Sequence, residues 1–207
     1  MRYYAVRKGI EPGIYMTWEE CKDNVYKYPG AVYKSFKNKE DAEKFLNEKE
    51  VNILDSVETD AYAFIDGSFN SRTGVYGYGG FIVNRVKDPI TNTVDVRKYI
   101  IQGCDDDEEM VCMKNVAGEI CGCMEVAKKA ISLDIDVITI IYDYSGIEKW
   151  ATGEWNRNKD GTRDYYNYMQ AIKDLIKIKY LKVEAHTKVP GNEEADFLAK
   201  DAVGIYD

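Results

Sequence analysis

No apolar run in this chain is long enough to span a bilayer, and its start, Met1-Arg2-Tyr3-Tyr4, lacks the apolar core of a signal peptide. Those two absences lead to the expectation of a cytoplasmic protein. Cysteine pairs at CxxC spacing are also missing. The five cysteines (Cys21, Cys104, Cys112, Cys121, Cys123) are odd in number, so they read as free thiols serving as small core residues, not as a metal site or disulfide framework. Internal repeats are absent, and low complexity is confined to Asp105-Asp106-Asp107-Glu108-Glu109, read as a solvated loop. Cations are in deficit, 28 Lys+Arg against 36 Asp+Glu for a net charge of −8, which on its face argues against a polyanionic ligand.

The distribution of charge reverses that inference. Residues 1–39 hold eight Lys/Arg against four Asp/Glu, and the remainder holds twenty against thirty-two. A basic module beside an acidic one that needs cations explains such asymmetry better than the total does. Within 207 residues there is room for one domain or two small ones.

The basic module is also rich in aromatics. Tyr3, Tyr4, Tyr15, Trp18, Tyr26, Tyr28, Tyr33 and Phe36 alternate with Arg7, Lys8, Lys22, Lys27, Lys34 and Lys37. That mixture suits stacking on bases or sugars while neutralising phosphates, and it equally suits filling the core of a very small domain. Tyr3–Lys8 reads as a strand, Glu11-Pro12-Gly13 as a turn into a second short strand, and Ala31–Phe36 as a third. Thr17-Trp18-Glu19-Glu20 fits a capping box opening a helix to about Val25, and Asn38 caps a second helix carrying Ala42, Phe45 and Leu46 on one face.

Tyr4-Ala5-Val6-Arg7-Lys8-Gly9, Thr17-Trp18-Glu19-Glu20-Cys21 and Tyr33-Lys34-Ser35-Phe36 together resemble the hybrid-binding domain at the N-terminus of many type 1 ribonucleases H. The resemblance covers residues 1–48. It implies that Trp18 and Tyr33 grip the DNA-strand backbone and sugar of an RNA–DNA hybrid, with Tyr4 and Lys34 at neighbouring contacts and double-stranded RNA as a further ligand. Ser35 and Val32 stand where that family often has basic residues, which implies a looser grip.

Residues 49–60 mix acids with a few apolar residues and read as a short linker, with room for a helical turn. A second domain is expected over 61–207. It opens on Tyr62-Ala63-Phe64-Ile65-Asp66-Gly67-Ser68, a buried strand presenting one carboxylate at its end. Strands around 80–83 and 97–101 continue as an antiparallel meander. A helix over about 115–133 carries the stripe Val116, Ile120, Cys123, Ala127 and Ile131, with Glu119 at the edge of that stripe, facing the sheet. Val137–Tyr142 is a continuous apolar run ending in Asp143, the pattern of a central strand covered on both faces. Further helices are expected at about 145–151 and 163–179, and a last strand at 181–186. A terminal helix then starts with Asn192 as its cap and Asp196 near its first turn. The fold class is mixed α/β. Taken singly, each of these acids reads as a solvated or capping residue. Taken together they form an oxygen-only set that repels itself unless hard divalent ions, Mg²⁺ above all, lie between them.

Phe64-Ile65-Asp66-Gly67-Ser68, Ala117-Gly118-Glu119-Ile120, Ile141-Tyr142-Asp143-Tyr144, and Glu184-Ala185-His186 followed by Asn192-Glu193-Glu194-Ala195-Asp196 resemble, in order, the four acidic motifs of type 1 ribonuclease H. The resemblance implies a five-stranded mixed sheet flanked by helices. It implies that Asp66, Glu119, Asp143 and Asp196 hold two Mg²⁺, with Mn²⁺ as a substitute, and that His186 assists proton transfer or product release. Asn115 matches a position that reads the RNA 2′-hydroxyl. The implied activity is endonucleolytic cleavage of the RNA strand of a hybrid, leaving 3′-hydroxyl and 5′-phosphate ends, by a monomer. The stretch Trp150–Arg157 is short and weakly basic where some relatives carry a basic protrusion, so the N-terminal module is expected to supply the grip. A hybrid- or double-stranded-RNA-binding protein that does not cut is the alternative from another class, and four intact acids disfavour it. A resolvase or integrase on the same scaffold would leave the N-terminal module unexplained.

Overall fold

A computed structural model describes residues 2–26, 28, 31–47, 53–183 and 190–206. The contacts divide the chain into two units, Met1–Asn52 and Ile53–Asp207.

In the first unit, β1 (Tyr3–Lys8) lies between β2 (Gly13–Tyr15) and β3 (Val32–Phe36), both antiparallel to it. Helix α1 (Trp18–Val25) opens with the expected capping box: the Glu20 amide donates to Thr17 Oγ1 at 3.3 Å, and the Thr17 amide donates to Glu20 Oε2 at 3.2 Å. Its Cys21 and Val25, one turn apart, are buried against Val6, Tyr4 and Tyr15 on one face of the sheet. Helix α2 (Lys39–Asn47) begins where Asn38 Oδ1 accepts from the Asp41 amide at 2.8 Å. On the opposite face of the sheet, Phe45 of α2 stacks on Phe36 at 5.4 Å, and the Arg7 guanidinium lies 4.8 Å over the Phe45 ring.

The second unit holds a five-stranded mixed sheet in the order β6-β5-β4-β7-β8. Strands β4 (Ala61–Asn70), β5 (Val75–Lys87) and β6 (Val94–Asp105) form an antiparallel meander, and β7 (Val137–Tyr142) and β8 (Lys177–Lys182) run parallel to β4. Alternation along β4 feeds two cores. Ala61, Ala63 and Ile65 join Ile120, Cys123 and Ala127 of the long helix that follows β6, while Tyr62 and Phe64 join Phe81, Val83, Ile141 and Ala195 on the other side.

Several boundaries differ from the sequence expectations, each for a local reason. Strand β4 does not stop at Asp66; it pairs with β5 as far as Asn70↔Val75, and Gly74 (φ 76°) supplies the hairpin turn. The acidic run is not all loop. It ends β6, and Asp107 caps the short α3 (Glu108–Val111) by accepting from the Glu109 and Met110 amides at 3.0 and 3.1 Å. Helix α6 (Asp160–Ile172) ends well before 179, and β8 starts at Lys177. The segment Lys-Ile-Lys-Tyr-Leu-Lys alternates, with Ile178 and Tyr180 against the larger core and Leu181 against the smaller. Residues 53–60 join the second unit: Ile53, Leu54 and Val57 cover the smaller core, and the Thr59 hydroxyl donates to the Ala61 carbonyl at 2.6 Å beside Thr139. Helix α7 (Pro190–Ala202) begins two residues ahead of Asn192, with proline in its first turn, where its missing N–H costs nothing. All five cysteines are unpaired; Cys21 and Cys123 are core residues, whereas Cys104 and Cys112 are exposed. Among the described residues no helix is long and apolar enough to cross a membrane.

Candidate active site

Register brings the first two carboxylates together. Strand β7 pairs with β4 as far as Phe64↔Ile141, so two residues further along each chain Asp66 and Asp143 arrive level with one another. Asp66 lies inside the longer β4, and Asp143 sits just past the end of β7. The third carboxylate comes from α4 (Asn115–Ser132). A side chain at Gly67 would overlap the Asn115 carbonyl, and one at Gly118 would overlap the Gly77 carbonyl. Bare backbone at both positions lets the first turns of α4 lie directly on β4 and β5. Lys114 takes a positive φ of 55° to turn the chain into this helix.

Glu119, only 5% exposed, is thereby pressed against Gly67 of the central strand β4. Oxygens of Asp66, Glu119 and Asp143 lie within 4.8 Å of one another. Burial, then the neighbouring Asp66 and Asp143, push the Glu119 carboxyl up to about 9. Burial also pushes Asp66 up to about 7; Asp143 and Asp196 add to the rise. The Gly67 amide, which donates to Asp66 Oδ1 at 2.7 Å, and Lys200 oppose it. Asp66 and Glu119 resist ionising together, and the trio offers oxygen as its only donor type, which fits a hard divalent cation.

Asp196 stands apart from this trio. Its Oδ2 lies 3.0 Å from Lys200 Nζ one turn along α7, and its side chain is 47% exposed. It is near enough to act on Asp66 through its charge without sharing the 4.8 Å group. The seat of α7 is set by Gly79, where a side chain would overlap the Ala199 backbone, and by Lys98. The Lys98 ammonium donates to both Glu194 oxygens at 2.6 Å and lies 3.9 Å over the Phe81 ring. Asn115 is exposed, one helical turn ahead of Glu119 and so on the same side of α4. Glu184 and His186 lie outside the described residues.

Three features around Asp143 were not assigned from sequence. The buried Tyr142 hydroxyl donates to Glu148 Oε2 at 2.5 Å, tying the end of β7 to α5 (Gly146–Ala151). Tyr144 packs on Trp150 and Trp155 at 5.7 and 6.3 Å between ring centroids. Gly146 is required there, because a side chain would overlap the Tyr144 ring. The available signal was a tyrosine inside an apolar strand, whose hydroxyl needs a partner when buried.

In the first unit, the Trp18 ring lies between Tyr4 and Tyr33, at 5.9 Å from each. Trp18 and Tyr33 are 41% and 45% exposed, large values for aromatics in so small a core. Lys34 does not join them. Strand alternation sends it to the other face of the edge strand β3, its ammonium 5.8 Å from the Phe36 ring.

Comparison with known proteins agrees with this geometry. Residues 2–46 match the family model described as the ribonuclease H1 N-terminal domain, and residues 58–204 match that of RNase H. The ribonuclease H of Saccharomyces cerevisiae is 56% identical over 46 residues, 22% of this chain and 13% of that protein. That of Schizosaccharomyces pombe is 28% identical over 113 residues, 55% of this chain and 39% of its own length. The chain thus spans well under half the length of these curated relatives. Among solved structures, RNase H1 from Halobacterium salinarum superposes with a TM-score of 0.50 at 20% identity, covering 70% of this chain and 97% of that one. LC9-RNase H1 gives 0.51 at 18% identity, covering 72% and 74%. These likenesses speak to the fold alone. The family model extends over more than two thirds of the sequence and spans the strand, helix and loop that carry Asp66, Glu119 and Asp143; the chain belongs to the RNase H family.

Proposed function

We propose that the protein is an endoribonuclease that hydrolyses the RNA strand of RNA–DNA hybrids, with its acidic site loaded by two divalent cations. The observation that carries this reading is the group Asp66, Glu119 and Asp143, whose oxygens converge within 4.8 Å and in which Asp66 and Glu119 resist ionisation. Asp66, Glu119 and Asp143 would hold Mg²⁺, or Mn²⁺ in its place, and Asp196 would complete the set once its carboxylate leaves Lys200. Such ions supply Lewis acidity toward the scissile phosphate, consistent with 3′-hydroxyl and 5′-phosphate products.

The remaining roles fall to the chain's own side chains. Asn115, on the same side of α4 as Glu119, hydrogen-bonds a ribose 2′-hydroxyl in this reading and so separates RNA from DNA. His186 assists proton transfer or product release. In the first unit, Tyr4, Trp18 and Tyr33 offer stacking faces for sugar and backbone, and Lys34 on the edge strand offers a cation for phosphate. Contacts of that kind are indifferent to base sequence, so double-stranded RNA is a second ligand of this unit. The protein acts as a monomer.

A labelled RNA–DNA hybrid incubated with and without Mg²⁺, beside RNA duplex and DNA duplex, tests the reading. Cleavage of the hybrid's RNA strand alone, and only with the cation, is expected. Binding without cleavage in the presence of Mg²⁺ would leave a hybrid-binding protein instead.

A further inference from the structure

Among the described residues, Asp143 is the least supported of the three converging acids. The Asp66 carboxylate is fixed by the Gly67 amide at 2.7 Å, and Glu119 is embedded between helix and sheet. Among the described residues no hydrogen bond reaches the Asp143 carboxylate. Asp143 also lies outside the β7 ladder, in the turn leading to α5. Its position therefore depends on how firmly the residues on either side are held.

The residue before it is held unusually well. The Tyr142 carbonyl accepts from the Val183 amide at 2.8 Å, its ring packs edge-on against Tyr180 at 6.1 Å, and its hydroxyl donates to Glu148 Oε2 at 2.5 Å. A bond of that length from a phenol to a carboxyl group belongs to the short, strong class. Glu148 in turn belongs to a helix that is itself pinned. The buried Tyr165 hydroxyl donates to the Ile147 carbonyl at 2.9 Å, and Gln170 Nε2 donates to the Ala151 carbonyl at 3.0 Å. The Tyr142–Glu148 bond closes the loop from the end of β7 to the start of α5, and Asp143 is the first residue inside that loop.

We propose that Tyr142 and Glu148 are a positioning pair that fixes Asp143 and thereby sets the site's affinity for its divalent cation. This rests on reading the acidic trio as a cation site. Neither side chain touches substrate; both act through Asp143. Groups that orient a metal ligand typically change metal affinity ten- to a hundredfold when removed. Releasing this bond frees a single ligand of several, so about tenfold is expected.

The test titrates Mg²⁺ alone into the full chain by calorimetry, without nucleic acid, alongside thermal melts in EDTA that report folding. Tyr142→Phe deletes one oxygen and keeps the ring. It should weaken Mg²⁺ binding about tenfold and raise the Mg²⁺ needed for half-maximal cleavage by the same factor. KM for hybrid at saturating Mg²⁺ should be unchanged, a split that general loosening of the fold would not give. Glu148→Gln, which still accepts a hydrogen bond, should retain most of the affinity, whereas Glu148→Ala should lose as much as Tyr142→Phe does. The double variant Tyr142→Phe/Glu148→Ala should be no worse than either single change. If Tyr142→Phe does not fold, the contrast between Glu148→Gln and Glu148→Ala decides. Equal affinities of folded variants and parent would overturn the positioning role while leaving the functional reading intact. A parent protein that takes up no Mg²⁺ would overturn both.

Discussion

Glu119→Gln should make the metal-free protein less sensitive to rising pH, and the size of the effect follows from burial. Glu119 is 5% exposed and its carboxyl is pushed up to about 9, against an ordinary value of 4.5. A carboxyl raised on folding holds its proton in the native state after the unfolded chain has released it. Its stabilising contribution is therefore complete below pH ~4.5 and is lost as pH climbs toward 9. Each pH unit in that window changes stability by at most ~1.4 kcal/mol, so moving from pH 5.5 to 8.5 could cost no more than ~4 kcal/mol at this residue. Asp66 competes for the same protons and water relaxes around the site, which brings the expectation to about 1–3 kcal/mol. Glutamine carries no charge to bury, so the variant lacks this loss. Urea unfolding in EDTA at pH 5.5, 7 and 8.5 should show the parent losing about 1–3 kcal/mol more than Glu119→Gln across the range. Mg²⁺ should restore the parent at pH 8.5 and do little for the variant. Parallel pH profiles for the two proteins would refute the claim that Glu119 resists ionisation in the fold.

Three further outcomes are expected. Asn115→Ala should erode the preference for hybrid over DNA duplex in competition cleavage more than it lowers the maximal rate; an unchanged preference would remove Asn115 from the substrate contacts. His186→Ala should slow turnover without ending it, because water can partly replace an imidazole that moves protons, and complete inactivity in a folded variant would make the residue indispensable. Trp18→Ala/Tyr33→Ala should raise KM on long hybrids at least tenfold at fixed salt, since each stacking contact is worth about 1–3 kcal/mol, while single-turnover rates at saturation stay close to the parent's. Binding and cutting of long hybrids as efficient as the parent's would show that this aromatic face is not the anchor.

What sequence made legible was local and periodic. The Thr17–Glu20 capping box is a pairing of residues three apart, and it forms as read. The apolar stripe of α4 and the run Val137–Tyr142 announce a helix and a central strand because their periods differ, and both lie within a residue or two of the expected limits. What sequence hid was set by distant partners. That β4 runs through Asp66 to Asn70 depends on pairing with β5, and that Ile53, Leu54 and Val57 fold onto the smaller core depends on the cluster of Tyr62, Phe64, Phe81 and Ile141 assembled from other strands. Nor could spacing show that Asp196 is ion-paired with Lys200, since a lysine four residues along a helix reads as an ordinary surface pair. The Tyr142–Glu148 bond, though it spans only six residues in sequence, was hidden because it joins a strand to a helix across a turn and so follows neither period.

Asp143→Asn tests the central claim most directly, because it removes one oxygen ligand from the converging trio and leaves the aromatic face of the first unit untouched. Hybrid affinity and single-turnover cleavage should be measured on the same preparation in Mg²⁺. The account predicts a dissociation constant within a few-fold of the parent's and no detectable cleavage of the RNA strand. Cleavage at the parent's rate by the folded variant would contradict it, because the acidic group on which the function is built would then not be where the chemistry occurs.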